Sequence, residues 1–316
     1  MSTMSLNQMR AFLSQSISST NQNKLRGTVA EIDFRTHLTQ LGFGNRVSMG
    51  GWIIRRKRNN AFGHTPVALF PEVVDPANQY PLGRTPAPAH GLHAVCNRLH
   101  QNGIQSYFCA ATIGTANNYS TLTWQALQLG IPAQGQFVPV IDILTGLGHA
   151  PRIRHHNFLR YHTNTQTIPA AAVPEEFSKE HLRVSVENAF LAEMSDIDGV
   201  LWGNQITYPL EIKEKTVAQS PDLGPFFGLD LGPFVKLAFY AAMGGQLHSI
   251  FVVREIDDVQ HRNLVNWWFI TFDQLARYAS WVPQGGGTNM GGGRSSVVRI
   301  PRQEFQLLTA QTLAQL

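Results

Sequence analysis

Three residues carry the first chemistry this chain suggests: Asp198, Glu211 and Lys213, in the stretch SDIDGVLWGNQITYPLEIKEKT at 195–216. Two carboxylates held together suit Mg2+, a hard cation that takes oxygen ligands and also accepts phosphate oxygens. Such an ion polarises a phosphodiester and lowers the pKa of a bound water. An ammonium beside the carboxylates orients that water and neutralises charge building on phosphorus. The carboxylates in turn keep the ammonium charged. The combination fits hydrolysis of a phosphodiester.

The chain must place these groups side by side, and a β-hairpin does so. A turn at Gly203-Asn204 separates two strand-like runs, a hairpin signal. On the second run Glu211 and Lys213 share one face, while Leu210 and Ile212 point the other way, into the core. Partners in an antiparallel hairpin have residue numbers that sum to a constant. A connection of two or four residues makes that sum odd, and 198 plus 211 is odd, so Asp198 then stands on the face of Glu211. A three-residue connection would separate them, and a slipped register would offer Asp196 instead.

Around the hairpin the pattern predicts helices at residues 5–18 and at about Lys24 to Leu41, the latter stopped by Gly42. GGWIIRRKRNN reads as a strand leading into a basic cluster, and 63–90 as a long Pro- and Gly-rich loop. HGLHAVCNRLHQNG reads as a helix; IQSYFCAA and FVPVIDIL read as strands. PEEFSKEHLRVSVENAFLAEM starts with Pro and acids, as helices do. After a Gly/Pro loop, DLGPFVKLAFYAAMGG reads as a buried helix and HSIFVVREI as a buried strand, an order that favours a parallel crossover. WWFITF, FDQLARYAS, SVVRI and PRQEFQLLTAQTL read as strand, helix, strand and closing helix, with GGGTNMGGG at 285–293 a flexible loop.

The acid-Gly pair Asp198-Gly199 followed by Glu211-Ile212-Lys213 resembles the PD-(D/E)xK nuclease superfamily, and size and layout look most like a type II restriction endonuclease. RGTVAEIDFRTHLTQLGF is similar to that family's N-terminal helix, with Glu31 as its glutamate. The match covers about 20–42 and 185–270; the Pro of the signature is absent, and Ile197 precedes Asp198. The resemblance implies Asp198 and Glu211 as Mg2+ ligands, the carbonyl of Ile212 as a further ligand, Lys213 positioning the nucleophilic water, and Glu31 acting through a water or a second metal. Glu31 also lies in line with the apolar stripe of Phe34, Leu38 and Leu41; its bland reading is a surface acid paired with Arg35 one turn on.

The resemblance implies an α/β fold with a restriction-endonuclease-like core. A central mixed β-sheet is flanked by helices, and a large insertion separates the first core helix from the catalytic hairpin. It is read as one nuclease domain over 1–316, with core parts at about 20–42 and 181–316 and a DNA-recognition insertion at 43–180. The expected partners are double-stranded DNA, a second copy in a homodimer, and a cognate DNA methyltransferase in the same system. Basic residues offered as DNA contacts are Arg55, Arg56, Lys57 and Arg58, then Arg152, Arg154 and Arg160, and Lys215 and Arg294. Each of these has a bland reading as a solvated charge. Other readings remain: a structure-specific repair or recombination nuclease, a non-catalytic DNA-binding protein, or a metabolic enzyme whose charged strand is incidental.

Composition sets the outer bounds. The 316 residues are 43% hydrophobic and 15% charged, the balance of a packed chain, and the net charge of +4 tilts mildly toward polyanions. Cys96 and Cys109 make no disulfide framework, which points to a reducing cytoplasm. No apolar run approaches the ~20 residues of a membrane helix. His93, Cys96 and His100 share one helix face as an edge of a zinc site, but a fourth ligand is not evident; a buried Cys is the default. His155-His156-Asn157 is a poor match for a His-Asn-His nuclease.

Overall fold

The structure is a computed structural model that describes residues 3–18, 22–56, 66–88, 90–131, 135–144, 168–190, 192–290 and 293–316. In chain order its first elements are α1 (Leu6–Ser18), α2 (Gln22–Gln40), β1 (Val47–Arg56) and β2 (Val67–Pro71). Next come α3 (His90–Gln101), β3 (Gln105–Ile113), β4 (Leu122–Leu129), β5 (Val138–Pro139), α4 (Val140–Ile143) and α5 (Val173–Ala189). The hairpin β6 (Ala192–Trp202) and β7 (Thr207–Lys215) follows, then β8 (Ala218–Ser220), β9 (Gly224–Asp230) and α6 (Leu231–Ala242). The chain closes with β10 (Ile250–Ile256), β11 (Leu264–Thr271), α7 (Phe272–Tyr278), β12 (Gln284–Met290), β13 (Gly293–Pro301), β14 (Gln306–Leu307) and α8 (Ala310–Ala314). The class is α/β, with mixed β-sheet and packed helices.

Two compact units form, one from Met1–Val29 with Met49–Ile197, the other from Ala30–Ser48 with Asp198–Leu316. The second unit therefore starts later on both segments than the expected 20–42 and 181–316, and α5 belongs to the first unit.

In the first unit β2 pairs antiparallel with β1 and parallel with β3, and β4 continues antiparallel beyond β3. Strand β2 lies inside the segment expected to be loop; its VALFP is buried throughout, a short apolar run that the surrounding Pro and Gly obscured. FVPVIDIL is mostly not a strand. Pro139 has no N–H for a ladder, and at φ −55°, ψ 136° it stands just before the turn of helix α4. Helix α5 buries charge as well as apolar side chains: Arg183 pairs with Glu180 at 2.8 Å and Glu187 at 2.6 Å, and Ser16 Oγ donates to Glu180 at 2.9 Å.

His181 on α5 is held neutral. The Trp124 indole N–H donates to its Nδ1 at 3.1 Å, and its Nε2–H donates to the Tyr119 carbonyl at 3.0 Å. Burial lowers its pKa to about 4, with the Tyr119 carbonyl opposing. A depressed folded-state pKa makes this contribution complete above the unfolded value near 6.5 and lost as pH falls through about 4. The denaturation midpoint is expected to drop between pH 6.5 and 4 by an amount worth about 3 kcal/mol, and His181→Gln should flatten that part of the profile. Identical profiles for the two proteins would show that His181 is not the group responsible.

In the second unit β6, β7, β10, β11 and β14 lie in that order, with β7 and β10 parallel and the other pairs antiparallel. The parallel crossover expected from HSIFVVREI is present: α6 lies between β7 and β10 in the chain. Helix α2 contributes Ala30, Phe34 and Leu38 to a core with Leu210, Ile212, Ile250 and Val252. A second core on the alternate side chains joins Phe251 and Val253 to Leu237, Phe227 and Leu229. The two cores thus occupy opposite faces of β7 and β10.

Four elements here differ from the expectation. The Gly/Pro loop before α6 contains β8 and β9, and the Gly-rich 285–293 segment contributes β12 and the first residue of β13; these strands form an antiparallel sheet in the order β12, β13, β9, β8. Backbone hydrogen bonds to a partner strand do this without any side-chain alternation. The closing helix is broken into β14, which pairs on β11, and the short α8, which begins with a Thr309–Thr312 capping box. Helix α6 is not buried all round: Leu237 and Tyr240 are inside, while Leu231, Val235 and Phe239 are exposed. Among the described residues no helix is long and apolar enough to cross a membrane.

Candidate active site

The hairpin register decides the site. Gly199 pairs with Leu210 and Trp202 with Thr207, so four residues connect the strands and the parity is the one that places Asp198 with Glu211. Gly203 opens the turn where a Cβ would collide with the carbonyl oxygens of Leu316 and Ile206. The Asn204 backbone N–H donates to Leu316 O at 2.8 Å and its side chain to Ala314 O at 3.0 Å, so the C-terminal residues pin the turn. No slip toward Asp196 is present in this register.

Asp198 and Glu211 are 1% and 2% exposed, an extreme burial for acids that demands compensating charge. Lys213 supplies it, its Nζ 2.6 Å from Glu211 Oε1 and 3.6 Å from Asp198 Oδ2. Asp198 Oδ2 also accepts the Ile212 backbone N–H at 2.8 Å, which ties the acid to the neighbouring strand. Glu211 Oε1 is buried and accepts no hydrogen bond of good geometry among the described residues, so the Lys213 contact there is an ion pair only.

Lys236 is a member of this cluster that the sequence reading missed. Its Nζ lies 2.7 Å from Glu211 Oε2, so each oxygen of Glu211 faces one ammonium. The available signal was its isolation: Lys236 is the one charged residue of the apolar helix LGPFVKLAFYAA. One turn on from Pro233, it reaches down onto β7 from the face that carries Leu237.

Glu214, left unassigned by the motif, belongs to the opposite face. Arg254 pairs with it at 2.8 Å, Arg262 pairs with it too, and Arg254 also reaches Asp33 at 3.1 Å. Burial raises the Asp33 pKa, with Arg254 opposing. The charges of EIKEK therefore separate by strand parity into a cluster around Glu211 and a structural ion-pair network around Glu214.

Glu31 is 9% exposed on α2. The neighbouring Ala30, Phe34 and Leu38 pack on the Leu210 and Ile212 face, opposite the one that carries Glu211 and Lys213. Lys215 ends β7, on the face of Lys213 by strand alternation. Arg55, Arg56 and Arg294 lie on strands whose side chains there are outside the described residues, as are Lys57, Arg58, Arg152, Arg154, Arg160 and His155-His156-Asn157 altogether. The His93, Cys96 and His100 edge does not form a site: Cys96 is fully buried, His93 is exposed, and burial raises the Cys96 thiol to about 12. Among the described residues no group of three or more His, Cys, Asp and Glu is arranged to hold a metal ion.

The donor set around Glu211 nonetheless suits a hard cation. Its protein groups are two buried carboxylates, Glu211 with an oxygen that receives no hydrogen bond among the described residues, beside the backbone of Ile212. A cation there would take its remaining ligands from water or other oxygen donors, as Mg2+ sites commonly do. Comparison of the chain with family models, curated proteins and solved structures finds no match.

Proposed function

We propose that the chain is an Mg2+-dependent endonuclease that hydrolyses phosphodiester bonds of double-stranded DNA at a short specific sequence, leaving 5′-phosphates, on a restriction-endonuclease-like core. The observation that carries the reading is the pairing of two almost fully buried acids, Asp198 and Glu211, with Lys213 on one strand face. Buried acids held at ion-pair distance from a lysine are costly to retain for stability alone, and these are the groups phosphodiester hydrolysis requires.

Asp198, Glu211 and the Ile212 carbonyl would hold the cation, which supplies Lewis-acid polarisation of the scissile phosphate. Lys213 orients the attacking water and offsets charge on phosphorus. Lys236 holds Glu211 from the second side and fixes its carboxylate plane. Water adds to phosphorus, the bond to the 3′ oxygen breaks, and that oxygen leaves as a hydroxyl while the phosphate stays on the 5′ side. Glu31 carries no step in this proposal. Cutting a palindrome would call for a symmetric homodimer, and a sequence-specific nuclease of this kind would be accompanied by a protecting DNA methyltransferase. The two buried free thiols suit a cytoplasmic setting.

Incubation with a long linear duplex in Mg2+ tests the reading. Discrete fragments of constant size are expected. Cleavage confined to branched or flapped DNA would move the assignment to a structure-specific nuclease. Binding without cleavage on every DNA would favour a non-catalytic DNA-binding protein, and neither binding nor cleavage would favour a metabolic enzyme.

A further inference from the structure

We infer that Lys215 is a second phosphate-binding residue of the same site, one that holds the DNA phosphate next to the one being cleaved. The inference rests on the nuclease reading and names a contact beyond it. Lys213 and Lys215 are two residues apart on β7, so their side chains leave the same face about 6.6 Å apart.

The three lysines gathered here differ in how they are neutralised. Lys213 faces Glu211 and Asp198, and Lys236 faces Glu211. Lys215 alone has no carboxylate at ion-pair distance among the described residues; Asp230 and Glu211 act on it only at longer range, against Lys213. Its cross-strand neighbour on β10 is Glu255, but that carboxylate is already committed, accepting from the Trp268 indole at 2.5 Å and from Arg302 at 2.9 Å.

A partly buried ammonium with no carboxylate at ion-pair distance among the described residues is an unfavourable arrangement in the free protein. Burial does depress the Lys215 pKa. A phosphate oxygen arriving at the open end of β7, where exposure rises from Ile212 to Lys215, would remove that penalty. The requirement is for a spread-out anion with more than one phosphate, which is what a nucleic-acid backbone presents. A mononucleotide would engage Lys213 and leave Lys215 idle.

The test compares wild type with Lys215→Met, which keeps the buried stem, and with Lys215→Arg. Cleavage of a duplex oligonucleotide in Mg2+ gives KM and kcat, and binding at several salt concentrations in Ca2+ gives the salt slope. The expected result for Lys215→Met is a KM raised about tenfold, kcat changed by less than about threefold, and a salt slope shallower by roughly 0.9, one phosphate contact. Lys215→Arg should restore both KM and slope. Wild-type KM and slope in Lys215→Met, with the wild type cutting, would overturn this inference and leave the nuclease reading standing. A kcat loss without change in slope would also overturn it, since that marks a role in the chemistry or in folding. A wild type that neither binds nor cuts duplex DNA would overturn both together.

Discussion

Asp198→Asn is expected to lower the single-turnover cleavage rate by about 10³-fold or more while leaving the protein folded. The substitution keeps the size of the side chain and an oxygen that can still accept the Ile212 backbone N–H, the 2.8 Å bond that ties β6 to β7. What it removes is the negative charge that faces Lys213 at 3.6 Å. With one of the two acids neutral, a bound cation would lose a charged ligand, and Lys213 loses the counter-charge of Asp198. The measurement is a pair: quenched single-turnover kinetics in Mg2+, and the thermal midpoint of the same preparation. A rate within about tenfold of wild type, with Mg2+ still required, would remove Asp198 from the site. An unfolded variant would instead assign the residue to structure, and Asp198→Glu would then be read for retained metal dependence.

The second large effect falls on Lys236, and it separates stability from function. Glu211 is 2% exposed and held between two ammoniums, 2.6 Å from Lys213 and 2.7 Å from Lys236. Breaking a buried ion pair from one side leaves a charge without its partner, which ordinarily costs 3–5 kcal/mol; because Lys236 keeps some contact with solvent, Lys236→Met should cost about 2–3 kcal/mol. Cleavage should fall about 10- to 100-fold, the usual effect of losing a partner that orients a ligand. Adding Glu211→Leu removes the orphaned charge, and much of the stability should return while cleavage falls below detection. Stability that declines further in the double variant would show that Lys236 and Glu211 do not act as a pair, as would a Lys236→Met protein with unchanged stability and rate. The cycle is informative because its two readouts are expected to move in opposite directions.

Much of the site was legible because strands obey parity. Alternation along ITYPLEIKEKT put Glu211 with Lys213, and an even connection was enough to add Asp198; the structure has that even connection at Gly203–Ile206. The helices ending at Gly42 and Gly103 were legible too, since both glycines take the positive φ that suits a helix stop. Partners from distant segments were not. Lys236 sits 25 positions after Glu211 on an apolar helix, and only the crossover that lays α6 over β7 makes it a neighbour. Glu214 found Arg254 across the parallel register of β7 and β10, a pairing that no local pattern encodes.

Strands whose partners are backbone were equally hidden. In β12 three of the seven residues are glycine, and pairing with β13 supplies what side-chain alternation would ordinarily announce. The burial of α5 was hidden for the reverse reason. Its Lys179, Glu180, His181 and Arg183 are polar or charged residues, yet they are buried, with Glu180 and Arg183 paired and His181 bonded through both ring nitrogens. A helical pattern identifies the element, but it does not distinguish charge facing water from charge satisfied inside.

Lys213, between Asp198 and Glu211, is the residue proposed to serve phosphodiester hydrolysis. Its most direct test is cleavage of an end-labelled linear duplex by wild type and by Lys213→Met side by side, in Mg2+ and in EDTA. Fragments bearing 5′-phosphates are expected from wild type in Mg2+ alone, and none from Lys213→Met under any condition while it still binds the duplex. Equal cleavage by the two proteins, or cleavage by wild type that persists in EDTA, would contradict that role.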